Sequence, residues 1–136
     1  MKWRTSNLFQ LFKDHKREKP PYLERIDELK KLDIVRLKGK ITQDIIPVIE
    51  ARIKENRQLG SKIDKNVVLD FAKVEDVDSA TVAFHVIQLK EYHAKGFEVG
   101  FININDEMKA LLDLFKENAV FKVFSSEAEA VKALNR

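Results

Sequence analysis

The chain has 136 residues, of which 44% are hydrophobic and 35% charged, the profile of one globular domain with its own core and no length to spare for a second. With no cysteine, a disulfide framework, a thiolate nucleophile and a cysteine zinc site are excluded. The formal net charge is +3, but residues 1–20 hold six Lys and Arg against Asp14 and Glu18, while the other 116 residues hold 19 basic and 20 acidic side chains. The body therefore lacks the basic excess expected of a nucleic-acid-binding face. No run of about 20 apolar residues spans a membrane. Met1-Lys2-Trp3-Arg4 does not open a secretory signal, so a cytoplasmic location is expected.

Two units are expected: a basic amphipathic segment over residues 1–20 and an α/β domain over 21–136. In the first, Leu8, Leu11 and Phe12 share one helical face with Phe9 beside it, and Pro20-Pro21 stops any helix by about Glu18. With Trp3, this segment could lie on an anionic membrane surface, dock on the domain or on a second copy, or stay frayed.

From Tyr22 the pattern becomes apolar/polar alternation. Tyr22–Leu29 and Asp33–Ile41 read as two strands of a hairpin joined by Lys30-Lys31-Leu32. A helix follows, with Asp44 as N-cap, Pro47 in the first turn and Gly60 as stop. Asn66–Phe71 reads as a strand buried on both faces, and Lys73-Val74-Glu75-Asp76-Val77-Asp78 as an acidic loop. A helix from Ser79 to about Lys95 stops at Gly96, with Val82, Ala83, Val86, Ile87 and Leu89 on its inner face. Phe97–Asn103 is a strand. Asp106–Phe115 is a helix with Leu111, Leu112 and Phe115 inward, and Val120–Phe124 is a short strand. Ser126 with Glu129 is a capping box for the last helix. The expected fold is a single α/β domain, a mixed sheet with an N-terminal antiparallel hairpin and four helices.

Several chemistries are missing. The four glycines are scattered at bends and element ends, so no phosphate loop exists. His15, His85 and His93 form no ligand pair on one helical face, and no metal or cofactor is expected. No nucleophile elbow or serine triad can be assembled by spacing. The chain is expected not to be an enzyme.

The informative stretch is Val67-Val68-Leu69-Asp70 … Asp78-Ser79-Ala80-Thr81, a buried strand, an acidic loop and a helix opening on Asp-Ser. It resembles the signature of the STAS domain, shared by sulphate transporters and bacterial anti-sigma factor antagonists. The resemblance continues through Ile34–Gly39, Gly96, Phe101-Ile102-Asn103-Ile104 and the Glu127–Ala130 helix, over roughly residues 22–135. It implies a protein-interaction module. In the antagonist branch, a kinase that is itself the anti-sigma factor phosphorylates the serine after the aspartate, which is Ser79 here. The implied partner surface comprises Glu75, Asp76, Asp78, Ser79, Thr81 and Phe84, with Thr81 a second phosphoacceptor candidate. Phe84 could be an exposed anchor or be packed against a neighbouring loop. The chain departs from the pattern at Thr81, where glycine is usual, and at Thr42, where Asp or Asn is common. Asp78-Ser79 would also serve simply as a helix cap.

Two other readings remain. A receiver domain also ends a buried strand in an aspartate, but no acidic pair follows the first strand, so Asp70 is expected to cap a loop. The basic leader suits instead a STAS subunit or cytoplasmic domain associated with a membrane transporter or lipid-transport assembly.

Overall fold

The protein is described by a computed structural model over residues 22–45, 63–115 and 121–136. The leader and most of the helix expected between Asp44 and Gly60 lie outside these residues; Gln43–Ile45 forms a 3-10 turn. Five strands form one sheet in the order β1-β2-β3-β4-β5. β1 (Leu23–Glu28) runs antiparallel to β2 (Leu32–Ile41). β3 (Asn66–Val77), β4 (Val99–Ile102) and β5 (Phe121–Val123) run parallel to β2. Among the described residues, the α-helices are α1 (Ser79–Ala94), α2 (Asp106–Asp113) and α3 (Glu127–Leu134). The mixed sheet and its N-terminal hairpin are as expected from the alternation.

Period-two alternation sends successive side chains to opposite faces. On one face, Val35, Leu37, Val67, Leu69, Val99 and Phe101 meet Val82, Val86, Leu89 and Tyr92 of α1, with Met108 and Leu112 of α2. On the other, Leu32, Ile34, Val68 and Ile102 meet Ala130 and Leu134 of α3. The central strands are thus buried on both sides, which is why Val67-Val68-Leu69 is apolar without interruption.

Three inward assignments change. Ile87 is 62% exposed; it lies five positions from Val82, about 140° around the helix, whereas 82, 86 and 89 share a stripe. Leu111 and Phe115 are only half-buried, and Met108 takes the inner place beside Leu112. Gly100 sits inside β4 and not at an end. A Cβ there would come within 2.7 Å of the Phe124 ring, so the position needs a residue without a side chain.

The largest correction concerns the acidic loop. It is strand: β3 continues to Val77, paired to β2 from Lys38↔Lys73 to Ile41↔Val77. Register shifts between Arg36 and Lys38, and between Gly39 and Lys40, each give β3 one extra residue. Gly39, at φ 72°, accommodates this bulged stretch. The inward positions Phe71, Val74 and Val77 are consequently three apart, and the alternation that would have marked a strand is lost.

Candidate functional site

The site begins at the C-terminal end of β3, where the chain turns into α1. Asp78 is the N-cap, with β-region dihedrals. Its Oδ1 accepts the Thr81 N–H at 2.8 Å and the Thr81 hydroxyl at 2.6 Å, and its Oδ2 accepts the Gln43 N–H at 2.8 Å. One carboxylate thus caps α1 and pins the turn after β2 against it. Burial works to push the Asp78 carboxyl up, but the Thr81 and Gln43 hydrogen bonds outweigh it, and its pKa lies below the ordinary aspartate value.

Ser79 follows as the first residue of α1 and is exposed. Glu75 and Asp76 are exposed on the preceding strand, and Asp78 is half-buried. The structure therefore gathers the acidic residues and Ser79 at one end of the sheet. It separates Thr81 from them: Thr81 is 1% exposed and its hydroxyl is engaged by Asp78, which leaves no oxygen open to a kinase. Phe84 is half-buried against the core cluster, not an exposed anchor. Sequence reasoning missed Gln43. Nothing local marks it, because its partner lies 35 residues away; only its place just after the first parallel strand brings it to the helix start.

Asp70 does not cap a loop. It sits within β3 and is 8% exposed. Oδ1 accepts the Asn103 amide at 2.8 Å and the Ala72 N–H at 2.9 Å, the latter inside the bulge. Oδ2 accepts from Arg36 at 2.9 Å. Burial opposes ionisation, yet these hydrogen bonds, with Asn103 foremost, hold the Asp70 pKa below the usual carboxylate value. Arg36 also binds Asp27 and Glu127; the Glu127 contact contributes most to raising its pKa, against the opposing effect of burial. An aspartate so committed to an arginine is a structural ion pair joining β1, β2, β3 and α3. Its charge is already matched, unlike the free carboxylate a phosphoacceptor requires.

Among the described residues, no group of three or more His, Asp and Glu is arranged to hold a metal ion, and no helix is long and apolar enough to cross a membrane.

No functionally curated protein gives a significant match to the chain. Solved structures do. The chain is similar to a protein described as an anti-sigma factor antagonist from Thermotoga maritima, with TM-score 0.64 and 16% identity over 82% of this chain and 94% of that one. It is similar to the anti-sigma factor antagonist SpoIIAA in its unphosphorylated form, with TM-score 0.56 and 17% identity over 80% and 94%. It is also similar to the phosphorylated form of SpoIIAA, the Bacillus cell fate determinant, with TM-score 0.57 and 16% identity over 80% and 96%. At such identity these matches establish a shared SpoIIAA-like fold. The sequence model of the STAS domain matches residues 24–130, and with that span the chain belongs to the STAS domain family.

Proposed function

We propose that the protein is a protein-interaction module of the anti-sigma factor antagonist type, engaging its partner through the end of β3 and the start of α1 and switched by phosphorylation of Ser79. The observation that carries this reading is the exposed Ser79 directly after Asp78, the N-cap of α1, at the end of β3. SpoIIAA, which shares the fold, exists in phosphorylated and unphosphorylated forms, in line with a fold that tolerates the modification.

The physics of this end of the sheet supports the switch. Phosphate adds close to two negative charges. A helix N-terminus accommodates an anion through its free N–H groups, so the domain stays folded. Glu75, Asp76 and Asp78 stand nearby, however. A phosphate added to these carboxylates sharply raises the local repulsion and the cost of desolvating the surface under any partner packed on it. Partner binding is lost while the fold remains. Glu75, Asp76, Asp78 and Ser79 form the contact surface, with Phe84 contributing through its exposed part and Thr81 through its hold on Asp78.

Phosphopeptide mapping of the protein from its native cells tests the switch. Stoichiometric modification of Ser79 in at least one growth condition is expected; an unmodified Ser79 in all of them overturns it. Cell fractionation of the full chain and a form lacking residues 1–20 separates the regulator from a transporter-associated subunit. Soluble capture of a kinase-like anti-sigma protein is expected for the regulator, and tail-dependent recovery with membranes for the subunit.

A further inference from the structure

β3 is twelve residues long and β4 is four. β4 accompanies β3 only from Val67 to Asp70, whereas β2 follows it to Val77. The cause lies at Asn103. At φ 58° it turns the chain out of the sheet directly after Ile102, and asparagine is among the few residues that take this left-handed conformation readily. Its side-chain amide donates to Asp70 Oδ1 at 2.8 Å, which fixes the turn against β3. The chain then enters α2, whose N-cap Asn105 accepts the Met108 N–H. Among the described residues, Phe71–Val77 therefore has a strand on one side and none on the other.

A strand edge without a neighbour presents N–H and C=O groups to which an extended segment adds. Beside this edge is a cleft of about 130 Å³, walled by β3 and by the Asn103–Met108 turn. Its charged lining groups are Glu75, Asp76 and Glu107, all exposed, and no Lys or Arg lines it. Lys73, the one cation in this stretch of β3, is turned away: its Nζ donates to Glu24 of β1 at 2.6 Å. Phe71 and Val74, both half-buried, supply apolar lining with the buried Met108. The edge is thus anionic, with apolar surface at its base.

We infer that this edge receives an extended basic segment of a partner protein, added as a strand beside Phe71–Val77, with its cations against Glu75, Asp76 and Glu107 and its apolar residues against Phe71 and Val74. The length mismatch between β3 and β4 supplies the slot, main-chain hydrogen bonds hold the segment, and the carboxylates set its sign. A second copy pairing edge to edge would bring another Glu75 and Asp76 to the same slot, and like charges oppose that. That the segment belongs to the partner engaged near Ser79 rests on the function proposed above; the edge itself needs no phosphorylation and is tested apart from it.

The probe is a short capped peptide alternating lysine with valine, titrated into the full chain and followed by NMR amide shifts and hydrogen exchange. At roughly ten times its dissociation constant, the amides between 73 and 77 that are not bonded to β2 are expected to exchange about ten-fold more slowly. The same peptide N-methylated at every amide keeps its charge but has no backbone donor. It should bind about ten-fold more weakly, because main-chain hydrogen bonds supply the affinity in strand addition. A peptide with glutamate in place of lysine should not bind the natural chain, and should bind a Glu75→Lys, Glu107→Lys chain that no longer takes the lysine peptide. Absence of peptide-dependent protection at 73–77 overturns the inference, as does equal binding of the N-methylated peptide, which would show attraction by charge alone. Protection that grows with protein concentration when no peptide is present also overturns it, by identifying a second copy as the occupant. None of these results bears on Ser79, whose modification is read separately by phosphopeptide mapping.

Discussion

The two halves of β3 are built for different ends. Asn66–Asp70 lies between β2 and β4, carries Val67, Val68 and Leu69 at 1% exposure or less, and places apolar side chains on both faces. Among the described residues, Phe71–Val77 keeps only β2 as a neighbouring strand, is bulged twice, and exposes Ala72, Lys73, Glu75 and Asp76. The first half buys stability. The second half trades packing for an accessible charged edge that leads straight to Ser79. A packed scaffold and the proposed contact surface therefore share one strand, and the bulge at Asp70–Ala72 marks the border between them.

Substitutions on either side of that border should behave differently. The largest effect is expected from Leu69→Ala, at a position of 0% exposure. It should cost about 3 kcal/mol, measured by chemical denaturation. Val77→Ala, in the second half, removes a residue 8% exposed and should cost about 1 kcal/mol. Equal losses would erase the distinction between the halves.

Arg36→Met tests the border itself. It leaves the buried Asp70 without its cation and should cost up to about 3 kcal/mol. The pH dependence follows from the sign of the Asp70 shift. Its pKa is lowered in the folded state, so its contribution is fully present above the unfolded aspartate value of about 4 and is lost as pH falls through the lower folded value. Acid unfolding of Arg36→Met should therefore lose less stability below about pH 4 than that of the natural protein. Parallel acid profiles would show that the ion pair carries no such contribution.

Asp78→Ala removes the cap of α1 and the acceptor for the Gln43 N–H. A loss of about 1 kcal/mol is expected, read as a lowered thermal midpoint. Ser79→Glu should be the mildest, within about 0.5 kcal/mol of the natural chain, because an acidic side chain is tolerated in the first turn of a helix.

Much of this contrast could be read from the residues. The hairpin, the doubly buried start of β3, the Asp78 cap, the Gly96 stop at φ 85° and the Ser126 cap all follow from local chemistry. The second half of β3 could not. Lys73, Glu75 and Asp76 interrupt the apolar run, and the bulges set Phe71, Val74 and Val77 three apart, so neither hydrophobicity nor period two marked a strand. Its backbone is held by the ten-residue β2, a partner more than thirty residues away in sequence. Thr81 is misleading for a similar reason: its hydroxyl looks available in the sequence, and only the cap geometry shows that Asp78 holds it. The Arg36–Asp70–Asn103 arrangement joins three strands' worth of separated sequence, which no local pattern reports.

The claim that the working edge is separable from the fold is tested most directly on Ser79→Glu, by recording partner capture from the soluble fraction and the unfolding midpoint on the same preparation. The account predicts a midpoint matching the natural chain and a partner that is no longer retained. Full retention of the partner, or its loss only together with the fold, would contradict it.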